Sequence, residues 1–436
     1  MTVALVAASA GVASAANDPG YPQQWGMRLI GAESAWSTAT GKGITIAVVD
    51  TGVFLQHEDL KDKLVVLPGS NFVTAGASPA DDYGHGTHVA GIAAAETNNN
   101  RGVVGVAPDA KIMPVKVLDN TGSGDGNAVD AGIRFAVDHG AQIVNLSLGS
   151  DIQGVPVVGG PSFADAIDYA WSKGVICVVA AGNSFVTGSG FANEPALVVS
   201  AVDRNDQKPD YSSSVGQAKW GIAAPGGADP NTDPKTEDGV FSSYWDVNHP
   251  STTNTYADDA GTSMAAPHVA GAAALLRSLG LTPQQTVDRL LATAKDIGTA
   301  GNDSTFGHGR LDVAKAVAGL GPTGGTPTTG ASSTRTTAKA GTATTGVARS
   351  GTASASGSVA APVTSAPGGT VPTSPPGQVP AVADASRPES AADSLHVVRA
   401  RSRHSSSRPW AAAGVAIAML VAVAAGAVLL RPRPTS

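Results

Sequence analysis

Ile44-Thr45-Ile46-Ala47-Val48-Val49-Asp50 is an apolar run closed by an acid. It does not alternate apolar with polar residues, as a strand with one wet face would. It therefore reads as a strand buried on both faces of a parallel sheet. Ile112–Leu118, Ile143–Leu148, Val175–Ala180 and Leu197–Val202 read the same way, with helix-like segments between them at Val89–Glu96, Ala128–Asp138 and Phe163–Lys173. Strands alternating with helices predict an α/β fold: a parallel sheet covered by helices on both faces, with right-handed crossovers. Further on, Thr282-Pro283-Gln284-Gln285 is a capping box with proline at the first helical position, ahead of the helical spacing Val287, Leu290, Leu291.

Open parallel sheets bind ligands beyond the carboxyl ends of their strands. Asp50 sits at such an end, Gly149 follows the run Ile143–Leu148, and Asn183 follows Val175–Ala180. One edge of the sheet thus gathers polar and glycine positions. Gly261-Thr262-Ser263-Met264-Ala265-Ala266-Pro267 adds a hydroxyl just before Ala265–Leu279, which reads as a buried helix. Free N–H groups and the positive dipole end at that helix start favour a developing negative charge. A serine there is a candidate nucleophile if a base and an orienting acid reach it. His85, in Gly84-His85-Gly86-Thr87-His88-Val89-Ala90-Gly91, and Asp50 are the candidates. Taken singly, an acid after a strand or a serine before a helix is most often a turn or cap residue.

Taken together, Asp50-Thr51-Gly52, His85-Gly86-Thr87-His88 and Gly261-Thr262-Ser263-Met264-Ala265-Ala266-Pro267 resemble the motifs of the subtilisin-like serine peptidases, in the chain order Asp, His, Ser of that family. The resemblance covers about Asn17 to Leu320 and is closest to the thermitase-like branch. It implies that Ser263 is the nucleophile, His85 the general base and acid, and Asp50 the group that orients the imidazole. Asn183, in Ala180-Ala181-Gly182-Asn183, matches the family's side-chain donor to the oxyanion, alongside the Ser263 backbone N–H. Gly122-Ser123-Gly124 and Ser147-Leu148-Gly149 match the segments that sandwich an extended substrate, and Ala181 and Gly182 part of a wall of the pocket next to the cleaved bond. His57, His88 and His268 match structural positions. The resemblance also implies a calcium ion that ties down the amino-terminal segment. Asp18, Asp59 and Asn99 would supply side-chain oxygens, and Glu96, Arg101 and Val103 backbone carbonyls. No catalytic cofactor is implied.

The chain has 436 residues, a net charge of −7 and one cysteine, Cys177, so no internal disulfide is available. The mild acidity gives no reason to expect a nucleic-acid partner. Met1 to Ala16 carry an apolar run ending in Ala13-Ser14-Ala15, the pattern of a secretory signal cut near Ala15 or Ala16. Residues 17–320 are the expected peptidase domain, monomeric and acting on proteins or peptides. Residues 321–409 are poor in large apolar side chains over most of their length and read as a disordered linker with a basic end. Trp410 and the uncharged run Ala411–Leu430 have the length of a transmembrane helix, leaving Arg431–Ser436 as a cytoplasmic tail. Arginines before the span oppose this topology, and the signal is expected to decide it in favour of an extracytoplasmic domain at the cell membrane. This architecture resembles the mycosins of type VII secretion, which implies a secretion apparatus as partner, although mycosins generally carry disulfide cysteines that this chain lacks. Two functions therefore stand side by side: an anchored serine endopeptidase, mycosin-like or general, and a silent, surface-tethered module that binds peptides.

Overall fold

A computed structural model describes residues 16–148, 164–183, 191–228, 238–250, 254–321 and 396–397. The expected signal (apart from Ala16), the 410–430 span, the 431–436 tail, Gly149 and nearly all of the linker lie outside the described residues. Among the described residues, no helix is long and apolar enough to cross a membrane.

The opening run forms β1 (Thr45–Asp50), preceded by the short helices α1 (Trp25–Leu29) and α2 (Ala32–Ala35). There follow α3 (His85–Ala94), β2 (Lys111–Lys116), α4 (Gly126–Asp138), β3 (Ile143–Leu146), α5 (Ala164–Ser172), β4 (Ile176–Ala180), β5 (Ala196–Val202) and β6 (Trp220–Pro225). These strands make one sheet in the order β2-β1-β3-β4-β5-β6, and every pairing is parallel. The expected parallel sheet is present, with β6 as an added edge strand. Both faces are buried. Ile46 and Val48 join a core with α3 and the later helices, while Ala47 and Val49 join a second core with α4 and α5. Alternation across the pleat sends successive side chains into different cores, which is why the run is apolar throughout.

The strand order reverses at β1: β2 lies on one side of it and β3 on the other. The chain leaves β1 toward β2 on one side and leaves β3 toward β4 on the other, so a crevice opens between the carboxyl ends of β1 and β3, beside Asp50. A smaller sheet pairs β7 (Val240–Tyr244) antiparallel with β8 (Thr255–Asp259). β8 leads directly into α6 (Thr262–Ser278), which packs beneath β3, β4, β5 and β6. The capping box at Thr282 forms as expected and opens α7 (Pro283–Thr293); α8 (Val313–Val317) closes the described domain. The linker was expected to carry no structure, yet His396–Val397 forms β9, parallel to β8.

Candidate active site

Asp50 is fully buried at the end of β1. Its Oδ1 accepts the backbone N–H of Thr51 and the Nδ1–H of His85, each at 2.7 Å. Two glycines seat the helix carrying His85, Gly84 against the backbone just past Tyr244 and Gly86 against this strand end. Gly84 enters α3 at φ 108°, and a side chain there would meet the Trp245 carbonyl at 2.6 Å. Gly86 lies against the Gly52 carbonyl and the Asp50 side chain, leaving no room for a methyl group. The His85 side chain keeps 20% of its surface exposed while that of Asp50 keeps none, so the acid stands behind the base. Burial by itself would lower the His85 pKa. The neighbouring Asp50 carboxylate outweighs it, with help from Asp259 and Asp81, and holds the imidazole above its ordinary value.

Ser263 is the second residue of α6. Pro267 lies four residues on, inside the same helix, and has no N–H to give the Ser263 carbonyl. The Ser147 hydroxyl takes the vacant place, donating to the Ser263 carbonyl at 2.7 Å, and Asn145 Nδ2 donates to that hydroxyl at 2.9 Å. The end of β3 is thereby fastened to the backbone of the candidate nucleophile. Ser147→Ala should orphan that buried carbonyl and lower stability by about 1–3 kcal/mol, with kcat falling more than KM rises. Denaturant unfolding and steady-state kinetics check this. Ser263 Oγ itself donates to the Ser147 carbonyl at 3.3 Å and makes no hydrogen bond to His85. Such bonds are commonly long or unmade before substrate arrives.

Asn183 follows β4 as expected, and its Oδ1 accepts both the N–H and the hydroxyl of Thr262 at 2.9 Å. The Thr262 hydroxyl in turn accepts the Gly182 N–H at 3.1 Å. With its oxygen anchored on the residue before Ser263, the amide turns Nδ2 toward the start of α6, close to Gly261. Asp50, His85, Asn183 and Ser263 thus gather at one edge of the sheet, with a turned amide and the Ser263 N–H of a helix start among them. A family model for the subtilases matches residues 41–309, which include all four positions.

The chain belongs to the subtilase family.

Thermitase from Thermoactinomyces vulgaris is 41% identical over 307 residues, covering 69% of this chain and 98% of that protein. Subtilisin DY from Bacillus licheniformis is 36% identical over 301 residues, 67% of this chain and 97% of that one. Among solved structures, a protease from Pseudoalteromonas arctica PAMC 21717 matches with a TM-score of 0.60 at 32% identity, over 70% of this chain and 100% of its own. This subtilase is therefore a subtilisin-like serine peptidase.

The other positions singled out in the sequence also find their places. Gly122, Ser123 and Gly124 lie in a tight turn in which Asp119 Oδ1 accepts the N–H groups of Thr121 and Ser123, and Gly124 pairs back with Leu118. The Tyr83 ring packs beside Gly122, a neighbour the sequence did not suggest. Ser147 and Leu148 follow β3, and Ala181 and Gly182 follow β4, where the Ala181 N–H donates to Val199 O at 2.9 Å. His57, His88 and His268 are buried, each with one ring nitrogen on a backbone carbonyl, those of Thr255, Ala257 and Met264.

The expected calcium ligands converge in part. Asp18 accepts the N–H groups of Asn98 and Asn99 at 2.8 and 3.1 Å, so the amino-terminal segment does meet the 96–103 loop. Asp59 accepts Val103 N–H at 2.8 Å and Asn99 Nδ2 at 3.1 Å. Asn99 was expected to point its oxygen at a metal, and instead that oxygen accepts the Arg101 N–H at 2.8 Å. No cluster of three or more His, Cys, Asp or Glu side chains suited to a metal occurs among the described residues, so a site here leans on carbonyl oxygens. Burial pushes the Asp18 and Asp59 pKa values up, Asp59 to about 7. Two buried carboxylates at this loop, with no Lys or Arg paired to either among the described residues, fit a hard divalent cation.

Proposed function

We propose that this subtilase is an endopeptidase in which Ser263, His85 and Asp50 form the reacting set, and Asn183 with the Ser263 N–H binds the oxyanion. The observation that carries this reading is the 2.7 Å bond from His85 Nδ1 to buried Asp50, with Ser263 at the start of a helix on the same sheet edge. Ser263 Oγ swings from the Ser147 carbonyl to the exposed face of His85, which takes its proton as Oγ attacks the scissile carbonyl. Asp50 keeps the other imidazole proton in place and stabilises the imidazolium, which then protonates the leaving amine. Water, activated by the same imidazole, releases the acyl group. One oxyanion donor is worth about 10²–10³ in rate, a magnitude measured in subtilisin, a member of this family, and carried over.

The peptide lies extended between Gly122–Gly124 and Ser147–Gly149, with Ala181 and Gly182 lining the pocket beside the cleaved bond. Calcium would be held by Asp18, Asp59 and the carbonyls of Glu96, Arg101 and Val103, without Asn99, and would supply a structural tie. EDTA should therefore lower the melting temperature by several degrees, and added Ca²⁺ should restore it. We place the domain outside the cytoplasm, exported by the 1–16 signal and anchored by the 410–430 helix, on the strength of the sequence pattern alone. A mycosin-like role beside a secretion apparatus rests on that architecture.

Because the base must be neutral and its pKa is raised, the acidic limb of kcat/KM should have its midpoint above the ordinary histidine value of 6.5. A pH–rate profile reads it directly. An organophosphonate separates an enzyme from a silent module: one phosphonyl group per chain, mapped to Ser263, is expected. A chain that stays unlabelled would return the function to peptide binding.

A further inference from the structure

Asp81 lies four residues before His85, in the loop that enters α3, and its carboxylate is buried. Every group around it donates. Oδ1 accepts the Thr51 hydroxyl at 2.9 Å and the N–H groups of Tyr83 and Gly84 at 3.0 and 2.9 Å. Oδ2 accepts the Thr87 N–H at 3.0 Å and the Thr87 hydroxyl at 2.5 Å. Each hydroxyl also accepts a backbone N–H at 2.9 Å, Thr51 from Gly86 and Thr87 from Phe54, so its own proton is left for Asp81. Burial, only partly offset by the bonds from Gly84, Thr87, Tyr83 and Thr51, leaves the Asp81 pKa above its ordinary value, while the geometry of the shell favours the ionised form. A carboxylic proton would find no acceptor in this shell, so the surroundings select the ionised form.

These bonds join two separate elements. Thr51 directly follows Asp50 at the end of β1, while Gly86 and Thr87 directly follow His85 in α3. Lys116 of β2 holds the same strand end, its Nζ donating to the Thr51 and Leu118 carbonyls and to Asp82, each at 2.7 Å. We propose that Asp81 is a positioning residue for the Asp50–His85 pair: ionised and out of water, it clamps strand end to helix turn through two hydroxyls and presents a fixed negative charge to the imidazole. This rests on the reading of Asp50, His85 and Ser263 as the reacting set, and deepens it. The charges facing His85 are Asp50 from β1, Asp259 from β8 and Asp81 from the loop, with buried His88 one turn along α3.

The test uses the full chain with Asp81→Asn, Thr51→Val and Thr51→Ser, each rate divided by the concentration of sites titrated with phosphonate, and with Ser263→Ala, its rate divided by protein concentration. An amide at position 81 turns an N–H₂ toward an N–H donor whichever way it is flipped, and carries no charge. For Asp81→Asn, kcat per titrated site should fall on the order of 10²-fold, the scale of a misplacement near 1 Å, with KM within about twofold. Its acidic limb should also move to lower pH, because losing a negative charge makes the imidazolium easier to deprotonate. Thr51→Val should lower kcat and leave the limb in place, and Thr51→Ser should recover the rate. If Asp81→Asn does not fold, the Thr51 pair decides: valine equal to serine overturns the proposal. It is equally overturned if Asp81→Asn keeps the parental rate per titrated site and the parental limb. Turnover retained by Ser263→Ala would instead sink the reading of the reacting set, and the two failures are thereby distinguishable.

Discussion

Ser263→Ala should remove essentially all peptide hydrolysis, on the order of 10⁶ in kcat, and leave the fold intact; the magnitude is that of subtilisin, of the same family, and is carried over. The fold should survive because the hydroxyl contributes little to packing. Ser263 Oγ makes one long bond, 3.3 Å to the Ser147 carbonyl, whereas the bond that fastens α6 to β3 uses the Ser263 backbone carbonyl and is untouched. Thr262 also keeps its two bonds to Asn183. The melting temperature should stay within a few degrees of the parent, read by calorimetry beside an assay on a peptide substrate. A variant that hydrolyses at the parental rate would remove Ser263 from the mechanism. One that loses activity together with its cooperative transition would show only that the site had collapsed.

How much of this could be read from the chain depends on which contacts are local. The strands were legible because a run buried on both faces has no polar positions to disguise it. β6 was not, since Gly221 and Pro225 punctuate Trp220–Pro225 and read as loop. The start of α3 lies at His85 rather than Val89, because a Gly-Thr-His turn has weak helix propensity and is held by tertiary bonds to Asp81 and β1. Pro267 announces a free carbonyl at Ser263 by simple counting, but the Ser147 hydroxyl that fills the gap comes from 116 residues away. The Asp81 clamp had no signal beyond its closeness to His85, for its meaning lies in who donates to whom. The calcium ligands were legible only through family resemblance, and the Asn99 amide shows the limit of that: its identity matches while its oxygen faces Arg101.

The largest pH effect on stability should come from histidines that do no chemistry. His57 and His268 are fully buried, and burial lowers each pKa from 6.5 to about 4. Their hydrogen bonds fix the neutral form. His57 donates from Nε2 to the Thr255 carbonyl at 3.0 Å and accepts the Asp59 N–H on Nδ1, so a second proton would confront a donor. His268 donates from Nδ1 to the Met264 carbonyl at 2.8 Å, and its Nε2 has no partner to receive a new N–H. The folded pKa lies below the unfolded one, so this stability is complete above pH 6.5 and is lost as pH falls to 4. Each residue contributes about 3 kcal/mol across that window. Asp59 runs the other way: burial raises its pKa to about 7, so its protonation favours the folded state as pH falls. The total is therefore less telling than a difference. In a Ser263→Ala background, which prevents autolysis, urea unfolding at pH 7 and pH 4 should show the parent losing about 3 kcal/mol more than His268→Leu, whatever the absolute stability of that variant. Equal losses in the two chains would mean that His268 takes up its proton inside the folded protein, and that the interior around α6 is far wetter than its packing implies.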